Sequence, residues 1–272
     1  MTRTDVDRSF AGSIPEVYEK LLVPLIFEPY ARDLAARAAV SRPSTVLEIA
    51  AGTGVVTREL ARVLPQTASI IATDLSQPML DHAASIGTAR PVQWRQADAM
   101  RLPFVEDSFD VVVCQCGVMF FPDRAAAYAE VKRILRTGGT FLFNAWDRIE
   151  TNAFAHEVTV ALESLFPSDP PRFLARTPHG YHDTKQIALD LRLGGFAALP
   201  TIDTVQARSL ALSPSMPAMA YCQGTPLRNE IEARDSSKVE LATQHAALAI
   251  EKKFGTGPVD GAIQAHVVSV TK

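Results

Sequence analysis

The chain has 272 residues with a net charge of −3; 47% are hydrophobic and 21% charged, enough for one large core and only marginally enough for two. No Lys/Arg-rich stretch stands out, which argues against nucleic acid as the principal partner. Cys114, Cys116 and Cys222 form no paired framework and the C-x-C spacing is too tight for a redox or zinc pair, so buried reduced thiols are expected.

The N-terminal octapeptide, Met1-Thr-Arg-Thr-Asp-Val-Asp-Arg8, mixes charges and lacks the apolar core of a secretory signal. Residues 21–27 are apolar, but the run is interrupted by Pro24 and far too short to span a bilayer. A cytoplasmic protein with no stable membrane insertion is the expectation. Residues 15–39 read as helical pieces broken near Pro24 and Pro29, with Tyr18, Leu22, Leu25, Ile26, Phe27 and Tyr30 giving an aromatic and aliphatic surface. Such a surface ordinarily packs on a core. Residues 1–43 are therefore set apart as an N-terminal helical cover, and residues 44–272 as the main domain.

The most informative segment follows. Residues 45–49 are apolar around Glu48 and fit a buried parallel strand, which breaks at Ala50-Ala-Gly52-Thr-Gly54 and passes into a helical pattern over residues 54–63. Small residues let the backbone approach a ligand, and the N–H groups opening the helix favour anionic groups there. Ser69-Ile-Ile-Ala-Thr-Asp74 is a second strand, ending in a carboxylate twenty residues after Gly54, a spacing suited to ribose hydroxyls. Val92-Gln-Trp-Arg-Gln-Ala-Asp98 is a third such strand, again closed by Asp. In a doubly wound sheet the ligand crevice lies beyond the carboxyl ends of the strands, so Glu48, Asp74 and Asp98 are expected to face one site. A nicotinamide dehydrogenase fingerprint would want a third glycine where this chain has Thr57.

At these residues the chain resembles the class I S-adenosylmethionine (SAM) dependent methyltransferases, whose first motif is matched by Glu48-Ile-Ala50-Ala-Gly52-Thr-Gly54, with Ala50 where glycine is usual. The resemblance implies that Asp74 takes the ribose hydroxyls, that Leu75 and Met79 flank the adenine, and that Asp98 with Ala99 and Met100 meets its edge. Leu102-Pro-Phe, Phe109-Asp-Val-Val-Val-Cys114, and Arg133-Ile-Leu-Arg-Thr-Gly-Gly139 followed by residues 140–145 are similar to the family's later signals, so the match covers roughly residues 44–146 in order. The fold it implies is a seven-stranded α/β doubly wound sheet of order 3-2-1-4-5-7-6 with strand 7 antiparallel. Adenine-N6 and glutamine methyltransferases carry an Asp/Asn-Pro-Pro-Tyr/Phe after strand four. This chain has Gln115-Cys116-Gly117-Val118-Met119-Phe120-Phe121, which disfavours nucleobases, leaves Gln115 to orient cofactor or substrate, and offers an apolar wall or core packing.

Further helices are predicted over residues 78–85, 123–135 (stopped by Gly138-Gly139), 152–166 and 183–193, with strands over 201–207 and 263–271. Residues 167–184, with four prolines, read as an ordered loop. Residues 213–257 form a helical insertion between strands six and seven, with patterns at 217–222, 226–233 and 237–254. The insertion is expected to pack as a lid over the sheet's carboxyl edge or to make a subunit contact such as that of a homodimer. His179-Gly-Tyr181-His182 shows no third metal ligand, so no metal site is expected and the segment reads as a surface loop. His156, Tyr18 and His182 are the candidate catalytic residues, His156 because family members present substrate-facing residues after strand five. Tyr18 and Phe27 are candidate pocket residues on the same resemblance, while His82, His245 and His266 read as structural or exposed. The expected reaction is methyl transfer from SAM to a small, moderately apolar acceptor, similar to the ubiquinone and menaquinone biosynthesis branch. The rival reading is a SAM-fold binding or regulatory protein without turnover.

Overall fold

The computed structural model describes residue 10 and residues 12–272. The N-terminal octapeptide lies outside the described residues. Helical residues run without interruption from Ile14 to Ala39: α1 (Ile14–Val17), a π-helical stretch (Tyr18–Phe27) and α2 (Glu28–Ala39). The breaks predicted at Pro24 and Pro29 do not occur. Proline has no N–H to donate and its ring opposes the carbonyl four residues back, and the wider i→i+5 winding around Pro24 accommodates both. Pro29 follows directly on the π-helical stretch, as the second residue of α2.

The rest alternates β1 (Thr45–Ile49), α3 (Val55–Val63), β2 (Ser69–Asp74), α4 (Gln77–Ile86), β3 (Gln93–Gln96), β4 (Phe109–Gln115), α5 (Arg124–Ile134), β5 (Leu135–Trp146), α6 (Ala153–Leu165), α7 (Phe173–Arg176), α8 (Thr184–Leu193), β6 (Thr201–Ala211), α9 (Ser215–Gln223), α10 (Leu227–Arg234), α11 (Val239–Phe254) and β7 (Val259–Thr271). The seven strands form one sheet of order β3-β2-β1-β4-β5-β7-β6, parallel through β5 with β7 antiparallel, as expected. Val46, Leu47 and Ile49 of β1 and Val111, Val112 and Val113 of β4 are buried because these central strands are covered on both faces. β3 differs from the expectation of a third buried strand: it is the sheet edge, and Gln93, Arg95 and Gln96 are exposed.

Three strands are longer than the sequence pattern suggests. Helix α5 ends at Ile134, before Gly138-Gly139, and β5 begins at Leu135. β6 and β7, hydrogen-bonded neighbours in the sheet, extend to Ala211 and back to Val259, beyond the alternating windows. Two predicted helices begin one residue later than expected, because their first residues act as caps from outside: Asp123 accepts from the Ala126 N–H and Asp183 from the Lys185 N–H.

The chain divides into two compact units. The first to be described, residues 28–145, 181–205 and 265–272, contains β1 to β4 and almost all of β5, with α2 to α5 and α8. The other, residues up to 27, 146–180 and 206–264, is mainly helical: α9 packs on α11, on the π-helical stretch and on α6, and α11 packs on α6. Within it the Pro-rich segment is not a plain loop, since it contains α7, whose start is held by Glu230. That carboxylate accepts from the Arg172 and Phe173 N–H groups and from Arg176. All three cysteines are buried free thiols, as expected. No helix among the described residues is long and apolar enough to cross a membrane.

Candidate functional site

The β1–α3 turn lies at the carboxyl ends of the sheet's central strands. Ala50, Gly52 and Gly54 all have positive φ (53°, 56° and 83°), so the backbone curls tightly and Ala50 holds a conformation that favours glycine. Space for the Ala50 methyl comes from the segment after β4: a Cβ on Gly117 would stand 2.5 Å from the Ala50 Cβ. A Cβ on Gly54 would meet the Trp94 ring at 2.8 Å, so Trp94 of β3 covers this turn. Gly54 gives α3 no side-chain cap, which leaves the opening N–H groups of the helix to a ligand. The Thr53 hydroxyl is buried and has no partner among the described residues. A close backbone turn, an uncapped helix start and an orphaned hydroxyl fit a polar cofactor tail.

The two central acids differ in surroundings. Asp74 accepts from the Gly52 N–H and the Ser76 N–H, both at 2.7 Å, one on each oxygen. Burial pushes its pKa up against these bonds, and each oxygen keeps a lone pair for a hydroxyl donor. Asp74 thus ties the second strand to the turn it was expected to serve. Glu48 is fully buried inside β1 and accepts from the Thr57 hydroxyl at 2.5 Å; desolvation raises its pKa to about 8, opposed by Thr57. Glu48 is therefore largely neutral at pH 7 and braces α3 against β1. Thr57, which replaces the dehydrogenase glycine, is the residue that makes this brace possible.

Asp98 accepts from the Met100 N–H at 2.9 Å, forming a tight turn with Ala99 and Met100 partly open to solvent. Met79 is buried on α4 while Leu75 is half-exposed beside Asp74. Gln115 is buried at the end of β4. Its Oε1 accepts at 3.4 Å from Asn144, whose Oδ1 in turn accepts the Cys116 N–H at 2.8 Å. Cys116 is held at φ 49°, so the chain turns sharply into Gly117 and the short 3₁₀ turn Val118–Phe120. Val118 and Met119 are buried, whereas Phe120 and Phe121 are partly open. Asn144 is not among the residues singled out from the sequence; its signal is a polar residue inside the apolar run Phe141-Leu-Phe-Asn-Ala-Trp146 of β5. Burial pushes the Cys114 and Cys116 thiols up, so neither supplies a thiolate nucleophile near neutrality.

The cofactor candidates Glu48, Ala50, Gly52, Gly54, Asp74, Leu75, Met79, Asp98, Ala99, Met100 and Gln115 all belong to the sheet unit, as does His182. Tyr18 and His156 belong to the helical unit. There Tyr18 stacks on Phe27 with centroids 5.1 Å apart, Phe27 meets Trp146, and His156 lies 3.4 Å from Glu157. The expectation of a surface loop at His179-Gly-Tyr-His182 is corrected: His179 and Tyr181 are buried. His179 Nδ1 lies 2.8 Å from the Asp147 carbonyl, which can only accept, so this nitrogen carries the proton.

Comparison with known proteins agrees with this fold. Residues 47–143 match the family described as a methyltransferase domain. An uncharacterized protein of Mycobacterium tuberculosis is 34% identical over 128 residues, 46% of this chain and 46% of its own length. A ubiquinone/menaquinone biosynthesis C-methyltransferase of Stutzerimonas stutzeri is 29% identical over 164 residues, 56% of this chain and 64% of its own. The chain thus spans about half the length of the first of these relatives. Among solved structures, a phosphoethanolamine N-methyltransferase of Haemonchus contortus with phosphomonomethylethanolamine and S-adenosylhomocysteine covers 100% of this chain and 61% of its own at TM-score 0.61 and 15% identity, a likeness of fold alone.

Proposed function

We propose that this chain, a member of the class I SAM-dependent methyltransferases through its domain at residues 47–143, transfers a methyl group from SAM to a small, moderately apolar acceptor. The observation that carries the reading is the positive-φ turn of Ala50, Gly52 and Gly54 clasped by the Asp74 carboxylate. In this reading Asp74 accepts the ribose hydroxyls, the Asp98–Met100 turn meets the adenine with Leu75 and Met79, and the α3 start with Thr53 holds the polar tail. Gln115, fixed by Asn144, orients the reactive end.

When bound, the sulfonium supplies an activated methyl. The chain's contribution is to align an incoming nucleophile in line with it and to exclude water. No general base is required if the acceptor is a stabilised carbanion, and the resemblance to a C-methyltransferase favours an aromatic ring of that type. The partly open Phe120 and Phe121 give such a ring an apolar wall.

The test is calorimetric titration with S-adenosylhomocysteine, with NAD as control, followed by methyl transfer from labelled SAM to phenols, quinones and lipids. Micromolar binding of the first alone and label in an apolar acceptor are the expected results. Absence of S-adenosylhomocysteine binding overturns the reading, and binding without transfer to any acceptor replaces it with a binding or regulatory role.

A further inference from the structure

Arg124 sits where helix electrostatics disfavours it. It is the first residue of α5, at the partially positive end of the helix, a position that suits acids. A residue that breaks a local rule is expected to serve another need. Its guanidinium donates backwards, from Nε to the Val118 carbonyl at 3.3 Å and from Nη2 to the Met119 carbonyl at 3.1 Å. The same guanidinium lies 4.1 Å above the ring of Tyr181. Tyr181 is itself pinned: its hydroxyl donates to Asp190 at 2.8 Å, so at 3.3 Å it accepts from Tyr128, and Gln186 donates to the second Asp190 oxygen at 2.7 Å. Tyr128 is fully buried and stacked on Phe143 of β5.

We propose that Arg124 and Tyr181 form a clamp that positions the turn at residues 117–121, and so set the geometry of the site at that turn. The turn is fixed upstream by Asn144 holding the Cys116 N–H and downstream by Arg124 holding two consecutive carbonyls. Between them Gly117 rests on Ala50, so a shift of the turn is passed to the cofactor loop by contact. Tyr181 is thereby a positioning residue. That the turn serves methyl transfer rests on the function proposed above; the clamp itself does not. A lysine at position 124 keeps the charge and loses the planar fork that reaches two carbonyls.

The test is amide hydrogen exchange of the full chain, read at Phe120 and Phe121, whose N–H groups close the turn onto Gly117 and Val118. Arg124→Gln and Arg124→Lys are expected to speed exchange there about tenfold or more, and Tyr181→Phe by a smaller factor, with core amides of β4 unchanged. The exposed Arg192→Gln is the control and leaves all of these as in wild type. S-adenosylhomocysteine affinity is expected to fall about five- to tenfold in the Arg124 variants. Wild-type exchange at Phe120 and Phe121 in folded Arg124→Gln, or in Tyr181→Phe should the former not fold, overturns the clamp. A wild-type chain that binds no S-adenosylhomocysteine overturns the functional reading instead, and the exchange data still decide the clamp.

Discussion

Gly117 stands against the methyl of Ala50: a Cβ on Gly117 would lie 2.5 Å from the Ala50 Cβ and 2.8 Å from the Cys114 Sγ. Gly117 has φ −98°, so its need for glycine is purely steric, while Ala50 at φ 53° carries the conformational strain. Gly117→Ala is expected to destabilise by about 2 kcal/mol, since the Ala50 Cβ is fixed by its backbone and cannot turn aside. Ala50→Gly relieves the left-handed strain and gains up to about 1 kcal/mol. The double variant should recover part of the Gly117→Ala loss, and a urea-unfolding cycle showing strict additivity would sink the proposed contact.

Glu48 makes stability depend on pH. Its folded pKa of about 8 lies above the ordinary carboxylate value, so the folded chain binds the proton more tightly than the unfolded one. Stability therefore falls as pH rises from about 4.5 to about 8, by roughly a few kcal/mol. Glu48→Gln keeps the Thr57 hydroxyl bonded and removes this slope. Denaturation midpoints at pH 6 and pH 8 measure it, and equal slopes in both proteins contradict the assignment.

Asp74 is held against the turn by the Gly52 and Ser76 N–H groups. Asp74→Ala is expected to weaken S-adenosylhomocysteine by about 10- to 100-fold, the loss of charged hydrogen bonds. Unchanged affinity in calorimetry removes Asp74 from the ribose role.

Trp94 covers Gly54 closely enough to report on the loop. Gly54→Ala combines a positive φ with a 2.8 Å approach to the indole, and should cost more than tenfold in cofactor affinity. Binding to the wild type should change tryptophan fluorescence, and Trp94→Phe should abolish that change. A signal that survives Trp94→Phe comes from Trp146 and contradicts the placement.

Glu230 holds the start of α7 and pairs with Arg176 at 2.7 Å from a buried position. Glu230→Ala removes the carboxylate that two N–H groups and a guanidinium share, and roughly 2 kcal/mol should be lost. Glu230→Gln retains an oxygen for the N–H groups and should lose about half as much by urea unfolding.

The strands and helices of the sheet unit were legible because each is written in a short window: apolar runs for β1, β2 and β4, aspartates capping α5 and α8, and the small-residue turn after β1. The strand order came with the resemblance those windows carried. Windows failed where partners overrode them. Pro24 marks a break in the sequence pattern because an α-helix has no room for it, whereas in the fold it lies within π-helical winding. β3 has the pattern of its neighbours and is exposed because it lies at the edge.

The sequence alone determined the central strands, the tight turn after β1 and the acid that ends β2, since periodicity and turn chemistry act between residues a few positions apart, and the strand order followed from the resemblance those windows carry. Only the tertiary structure decided what those residues meet: Thr57 on Glu48, Gly117 on Ala50, Asn144 on Cys116, and Arg124 on Tyr181 across more than fifty residues. Such pairs leave no linear trace, because side chains far apart in the chain become neighbours only once buried apolar surface has brought their strands and helices together.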